Sequence, residues 1–190
     1  MQTYESLLLV TARLTLRPLL PADAPALYAI FSDPVVARHL SHREWTDLAE
    51  AEREIAIQRA DLRSASAVKL GVVINATGEL AGTVKLYHVM ASSRRCEVGY
   101  ALGTAWWGQG YLTEALEALF DFAFHSMDIN RIEADIDPVN TASARALERL
   151  GFMHEGVLRQ RWIVAGEVSD TAMYGLLRSD WDARASRPRQ

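Results

Sequence analysis

A chain of 190 residues with 20 basic and 24 acidic side chains has a formal net charge of −4, which excludes a surface built to hold a nucleic-acid backbone or an anionic membrane. Its 49% apolar residues are enough to line an interior, which excludes a mainly disordered chain and favours a single domain. One cysteine, Cys96, cannot form an internal disulfide, so we expect a reducing, cytoplasmic environment.

The first half of the chain predicts one strand, two helices and a hairpin. The opening apolar run at 7–10 is too short for a signal peptide or a membrane span. Alternating apolar residues then predict strands, and apolar residues three and four positions apart predict helices with charged outer faces. These elements are a strand at 13–19, helices at 21–33 and 47–63, and strands at 68–74 and 80–88 joined by a turn at 75–78.

The second half continues as a mixture of strands and helices. In order it predicts a strand at 96–102, a glycine and tryptophan segment at 103–110, a helix at 113–126, a strand at 131–136, a helix at 141–150, and a closing hairpin of strands at 152–164 and 168–177. This order predicts a mixed α/β (α+β) domain with about seven strands and four helices. We expect one domain over 1–182 and a flexible tail over 183–190.

The segment GTAWWGQGYLT, from Gly103 to Thr113, lies between a predicted strand and a predicted helix. Gly108 and Gly110 permit close approach to the backbone, and free N–H groups at a helix start attract an anion such as a pyrophosphate. An ordinary glycine turn explains the same two residues. Trp106 and Trp107 do not distinguish an anion-binding turn from an ordinary glycine turn, since both could pack over the sheet.

A second segment, PVNTASARALERLGF from Pro138 to Phe152, carries Asn140 as a helix N-cap and Gly151 as a helix terminator. The strings WWGQGYLTEAL, RIEAD and NTASARALERLGF, in this order and spacing, resemble the GNAT superfamily of acetyl-CoA-dependent N-acetyltransferases. Within it the chain is similar to the RimJ/RimL-type ribosomal-protein N-terminal acetyltransferases over nearly its whole length, including RLTLRPL, SDP, EVGY and GEVSD.

The resemblance implies a mostly antiparallel seven-stranded sheet that splays between the strands at 96–102 and 131–136. Acetyl-CoA would bind there as cosubstrate, with its pantetheine arm along the first strand and its pyrophosphate on the amides of 108–112. The implied cofactor-binding residues are Val98, Tyr100, Leu102, Trp107, Gly108, Gln109, Gly110, Tyr111, Leu112, Thr113 and Asn140.

Two positions depart from the superfamily's pattern. Ala105 stands where a Gln or Arg often opens the pyrophosphate motif, which matters little because backbone groups do most of the holding. Leu147 stands where a tyrosine often acts as general acid, so the usual proton donor to the departing thiolate is absent. Another hydroxyl must take that role.

Candidate catalytic residues follow from the chemistry of acetyl transfer, which needs a neutral amine, a stabilised oxyanion and a protonated thiol. Glu97 is the candidate base, acting through water; the alternative is a surface ion pair with Arg94 or Arg95. Ser143 is the candidate proton donor, one helical turn after Asn140, although both could be ordinary helix-start residues. Tyr100 and Tyr111 are further candidate donors, and the backbone N–H groups at 98–100 would meet the oxyanion.

Metal binding is not predicted. Of the five histidines only His39 and His42 are close in sequence, and no carboxylate or thiol completes a ligand pattern around them. Cys96 is expected to be a buried strand residue and not a nucleophile, because no base is marked beside it.

The sequence therefore predicts an N-acetyltransferase whose acceptor is a protein or peptide N-terminal amine. A small amine, such as a polyamine, an amino-acid derivative or an aminoglycoside, is an alternative acceptor, and a non-catalytic acyl-CoA-binding module is a second alternative. The acceptor is expected on the face of the first two helices and the closing hairpin, with Arg159, Trp162 and Asp170 near its mouth. No nucleic-acid or membrane partner is expected, and a homodimer is left open.

Overall fold

The computed structural model describes residues 3–185 and, within them, one mixed sheet of eight strands. The strands are β1 (Leu9–Val10), β2 (Leu14–Arg17), β3 (Val68–Ile74), β4 (Leu80–Met90), β5 (Arg95–Leu102), β6 (Arg131–Ile136), β7 (Met153–Val164) and β8 (Glu167–Leu177). Their order is β1-β2-β3-β4-β5-β6-β8-β7, and only the β5–β6 pair is parallel. The mostly antiparallel α/β class is confirmed.

The strand count is one higher than predicted because of β1. The apolar run at the N-terminus forms a two-residue strand that pairs with β2 through Leu9↔Leu16 and Val10↔Thr15. Two bridges are too few to leave an alternation in the sequence. As a result β2 lies between two strands, and Pro18 ends it without placing it at an edge.

Six α-helices lie in the described part of the chain, two more than predicted. They are α1 (Ala24–Phe31), α2 (Pro34–Ala37), α3 (Leu48–Ser64), α4 (Tyr111–His125), α5 (Thr141–Arg149) and α6 (Arg178–Ala185). The helix predicted at 21–33 is a 3-10 turn followed by α1, and Pro34 starts α2 with the Asp33 side chain as its cap. The predicted tail begins inside α6, and residues 186–190 lie outside the described residues.

The helices cover the two faces of the sheet separately. On one face α1 and the first half of α3 pack over the sheet, with Leu27, Ile55 and Ala101 in one apolar cluster. On the other face α4 and α5 pack over it, with Phe120 and Leu147 among fully buried residues. Successive residues of β5 therefore point alternately toward two different sets of helices. No helix among residues 3–185 is long and apolar enough to cross a bilayer.

Candidate active site

The sheet opens between β5 and β6. These strands pair in parallel at Arg95↔Arg131, Cys96↔Ile132 and Glu97↔Glu133, and the pairing ends there. Beyond that point β5 stays with β4 and β6 stays with β8. The two strands thus separate and leave a gap in the sheet, called the split below, as the family resemblance implies.

Backbone groups of β5 point into the split. The Gly103 N–H donates to the Ala81 carbonyl at 2.9 Å, and hydrogen-bonded pairs alternate along an antiparallel ladder. By this alternation the backbone groups of Gly99 and Ala101 hydrogen-bond to β4. The N–H and C=O groups of Tyr100 and Leu102 point away from β4, into the split. The indole Nε1–H of Trp107 donates to the Leu102 carbonyl at 2.8 Å, as this direction requires. The outer edge of β5 can therefore accept an extended ligand as a further strand.

A turn of free amides precedes α4. Gly108 and Gly110 have φ of 72° and 79°, a left-handed backbone that favours glycine. Within the described part of the chain, the N–H groups of residues 108–113 donate to no protein acceptor. They include the amides of the predicted residues Gln109, Tyr111, Leu112 and Thr113. Six unpaired N–H groups at the positive end of a 15-residue helix form a site suited to a phosphate ester.

Arg13 holds this turn from outside, a contact that the sequence analysis missed. Its Nη1 donates to the Gln109 carbonyl at 3.0 Å, and its Nε donates to Glu114 at 2.6 Å. The guanidinium lies 4.6 Å from the ring centroid of Tyr111, and the Trp106 and Tyr111 rings meet edge-on. Tyr111 is thus a packing residue of the turn, and it has no hydrogen bond to the hydroxyls at the split. A contact across 96 residues leaves no local sequence signal.

A cavity of about 680 Å³ lies beside the same turn, between the end of β1, the loop that leads to β2, and α4. Its lining includes Arg13 and Gly110 but also the carboxylates of Glu114, Glu117 and Asp121. Three carboxylates disfavour an anionic ligand. The carboxylate side of this cavity does not fit a pyrophosphate, whereas the free amides of the turn, including those of Gly110 and Thr113 in the cavity lining, do.

Two hydroxyls meet on the α4–α5 side of the split. The Tyr100 hydroxyl lies 2.6 Å from Ser143 Oγ, and the Asn140 side chain accepts the Ser143 N–H at 3.0 Å. Burial raises the pKa of Tyr100 to about 12, so its phenol stays protonated at neutral pH. The structure therefore brings three predicted site residues together. Leu147, at the position of the usual tyrosine, is fully buried in the core.

Asn140→Ala removes the cap of α5, and we expect it to lower the free energy of unfolding by about 1 kcal/mol. Asp47 caps α3 in the same way, with its side chain accepting the Ala49 N–H at 2.9 Å. Asp47→Ala is the matched control for the loss of a cap away from the split. Urea denaturation should show similar losses for both variants, while only Asn140→Ala should weaken acetyl-CoA binding. Equal acetyl-CoA affinity in the two variants would leave Asn140 as a cap only.

Glu97 lies on the opposite face of β5, the α1–α3 side. Its carboxylate is mostly enclosed, with 18% of the side chain exposed, and its Oε1 lies 3.1 Å from His88 Nδ1. Arg94 and Arg95 each bind a different carboxylate. The alternative in which Glu97 forms an ion pair with either arginine is therefore wrong.

A group of polar side chains surrounds Glu97 on this face. The Tyr87 hydroxyl lies 3.5 Å from Asp135 Oδ1, and the Trp162 Nε1–H donates to Asp135 Oδ2 at 3.0 Å. Lys85 Nζ lies 4.2 Å from the Tyr87 ring centroid, and burial lowers the pKa of this lysine. We call these five residues the acceptor-face cluster. Of these residues only Glu97 and Trp162 were predicted from the sequence, because cross-strand pairs such as Tyr87↔Glu97 depend on the strand register.

Two other residues predicted near the acceptor lie in the bulge of the closing hairpin. The β7–β8 register shifts between Leu158 and Trp162, and Asp170 Oδ1 accepts the Gln160 N–H at 2.8 Å within this bulge. Both Arg159 and Asp170 are exposed. Asp170 therefore braces the bulge, and Asp135 is the carboxylate that Trp162 contacts.

The remaining nucleophilic and metal-binding candidates give no second site. Cys96 is buried, and burial raises the pKa of its thiol to about 12, which keeps it protonated. His39 Nδ1 lies 2.8 Å from Asp137 Oδ2. Across residues 3–185, no three His, Cys, Asp or Glu side chains are grouped closely enough to hold a metal ion.

Comparison with known proteins places the chain in a family. Residues 13–153 match the acetyltransferase (GNAT) domain family. An uncharacterized N-acetyltransferase, p20 of Bacillus licheniformis, is 34% identical over 173 residues, which cover 91% of this chain and 97% of the relative. The uS5-alanine N-acetyltransferase of Escherichia coli is 33% identical over 104 residues, 54% of each chain. A putative ribosomal-protein-serine acetyltransferase structure from Vibrio cholerae superposes with a TM-score of 0.81 at 28% identity, covering 91% of this chain and 98% of that one. With its split sheet and free amide turn, the chain belongs to the GNAT family of acetyl-CoA-dependent N-acetyltransferases, in the RimJ/RimL-like branch.

Proposed function

We propose that the chain transfers the acetyl group of acetyl-CoA to a protein or peptide N-terminal α-amino group by direct attack on the thioester. One observation supports this most strongly. One side of the split has unpaired amides and the hydrogen-bonded hydroxyls of Tyr100 and Ser143, and the other side has a carboxylate-lined cluster with two aromatic rings. An anionic cosubstrate and a cationic acceptor would thus reach the same point from opposite faces.

Backbone groups would bind the cosubstrate. The amides of 108–113 would hold the pyrophosphate, and the outward edge of β5 at Tyr100 and Leu102 would pair with the pantetheine arm. The side chain of Trp107, 48% exposed, lies beside this path. Val98, which is buried, would border the acetyl group. The Tyr100 N–H, which points into the split, is our candidate donor to the oxyanion.

Negatively charged side chains would attract the acceptor amine. An arriving ammonium would meet the carboxylates of Glu97 and Asp135, with the rings of Tyr87 and Trp162 beside them. Glu97 would remove one proton through water. An α-amino group with an ordinary pKa of about 7.7–8.0 needs only a weak base, whereas a lysine ε-amine near 10.4 needs a stronger one. This difference favours the α-amine.

The departing thiolate needs a proton, and we assign it to the pair formed by Tyr100 and Ser143. Ser143 is buried, whereas Tyr100 is half-buried and its hydroxyl lies 2.6 Å from Ser143 Oγ, so we assign the contact with sulfur to the phenol and its orientation to the serine. Tyr100→Phe should lower kcat roughly 10²-fold with little change in acetyl-CoA affinity, and Ser143→Ala should lower it less. Stopped-flow thiol release measures both.

Tyr4→Phe is the control for this prediction, since Tyr4 is a buried tyrosine packed edge-on against Phe122 outside the split. It should turn over normally. A larger loss in Ser143→Ala than in Tyr100→Phe would make the serine the donor. Normal turnover in both would remove the pair from the mechanism.

The function is tested by thiol release from acetyl-CoA across a panel of N-terminal peptides, polyamines, amino-acid derivatives and aminoglycosides. The proposal expects the highest kcat/KM with peptides that carry a free α-amine. Higher values with a small amine would assign the small-molecule alternative. A thermal shift with acetyl-CoA but no thiol release with any amine would assign the non-catalytic module.

A further inference from the structure

His88 occupies a strained position beside Glu97. Its φ is +47°, a left-handed backbone that non-glycine residues seldom adopt. The β4–β5 register shifts between Tyr87 and Met90, so His88 lies in a β-bulge. Strained residues and bulges are concentrated at functional sites, where they direct a side chain that regular backbone would point elsewhere.

The strain changes where the imidazole points. In a regular strand His88 would face away from Tyr87, because successive side chains alternate between faces. Tyr87 pairs with Glu97 across the strands, so regular backbone would also direct His88 away from Glu97. The observed backbone instead brings His88 Nδ1 to 3.1 Å from Glu97 Oε1 and the imidazole to 4.7 Å from the Tyr87 ring centroid.

The pair connects an enclosed carboxylate with water. The Glu97 side chain is 18% exposed and that of His88 is 69% exposed. The other titratable groups around the pair are Tyr87 and Lys85 on β4 and Asp135 on β6. Burial and the nearby carboxylates raise the pKa of Tyr87, so this phenol does not exchange protons near neutral pH. Imidazole is the side chain that does so most readily.

We propose that His88 is a positioning residue that fixes the Glu97 carboxylate and carries its proton to solvent. This rests on the function proposed above. The acceptor ammonium first passes a proton through water to Glu97. The freed nitrogen lone pair then forms the C–N bond to the acetyl carbon while the thioester C–S bond breaks, the departing thiolate takes the proton of the Tyr100–Ser143 pair, and the excess N–H proton of the new amide goes to water. The Glu97 carboxyl gives the proton it received to His88 Nδ1, and the imidazolium releases a proton to bulk water. Glu97 is thereby ionised again for the next turnover.

His88→Asn tests the transfer without removing the geometry. Asparagine tolerates the left-handed backbone and can hydrogen-bond Glu97, but it does not titrate. We expect kcat to fall about fivefold to tenfold at pH 6.5–7.5, the deficit to shrink toward pH 9, and acetyl-CoA affinity to stay unchanged. At high pH the amine is already neutral and hydroxide replaces the relay.

Three comparisons make the result decisive. His125→Asn alters another histidine near a carboxylate, with Nε2 3.8 Å from Asp182 Oδ1 on the far helices, and should leave the pH profile unchanged. In a Glu97→Gln background, His88→Asn should cost no further activity, since the two residues act in one path. Imidazole added to His88→Gly, whose backbone is unstrained at this φ, should restore part of the rate.

A deficit in His88→Asn that is equal at every pH, or that adds fully to Glu97→Gln, would overturn the transfer role. A His88→Asn variant that turns over at the wild-type rate at every pH would also overturn it. Absence of thiol release by the wild type with every amine would instead count against the proposed function, and with it against this inference.

Discussion

Gly108→Val should fold and yet lose acetyl-CoA binding, with Kd raised at least about 100-fold, or about 2.7 kcal/mol. At φ 72° a valine is strained, and its side chain would project from the turn whose amides would receive the pyrophosphate. No heavy atom lies within 4 Å of a Cβ built at this position, so the added Cβ meets no protein neighbour. The measurement is isothermal calorimetry with acetyl-CoA, together with the ligand-induced shift in Tm.

Gly78→Val is a matched control for the backbone strain. Gly78 lies in the β3–β4 turn with φ 75° and likewise has no atom within 4 Å of a built Cβ. Both variants should lose similar stability, roughly 1–2 kcal/mol, but only Gly108→Val should lose the Tm shift. An undiminished shift in Gly108→Val would place the pyrophosphate elsewhere.

Glu97→Gln should lower kcat by up to roughly 10²-fold at neutral pH, with partial recovery as pH rises. The amide cannot accept the amine proton, and this loss matters less as more of the acceptor becomes neutral near its own pKa of about 7.7–8.0. Acetyl-CoA affinity should change little, because Glu97 faces away from the amide turn. Steady-state rates from pH 6 to 9 on one peptide measure the effect.

Glu79→Gln, at an exposed position beside the β3–β4 turn, serves as the control for the removal of one carboxylate and should follow the wild-type profile. A Glu97→Gln chain that also follows it would exclude Glu97 as the base. Asp135 would then be the remaining carboxylate of the acceptor-face cluster to test.

The elements with clear periodicity were predictable from sequence, and the short ones were not. The buried stripe of α4 and the apolar runs of β3 and β5 gave boundaries within a few residues of those observed. β1 and α2 have only two and four residues, which is too few for a period to appear. Asp33 followed by Pro34 was the available signal for α2, because a cap and a proline often open a helix.

The cosubstrate side of the site was also more predictable than the acceptor side. Gly108, Gly110 and Asn140 lie in continuous segments, and their residue types indicate their backbone roles: glycines for a left-handed turn and an asparagine for a helix N-cap. Glu97 was identified from the family resemblance, but His88 was not, because a left-handed histidine in a bulge leaves no pattern in the sequence. The contact between Asp135 on β6 and Tyr87 on β4 depends on the order of the strands in the sheet, which the sequence pattern does not give.

The choice between the two amines of one substrate is the decisive test of the proposed acceptor. A peptide with a free α-amine and an internal lysine is incubated with acetyl-CoA, released thiol is followed with time, and the product is sequenced by tandem mass spectrometry. We expect one thiol released per peptide and one acetyl group, on the α-amine, with both formed up to roughly 10²-fold more slowly by Glu97→Gln at pH 7. Acetylation at the lysine, or thiol release that occurs only with a polyamine, would contradict this expectation.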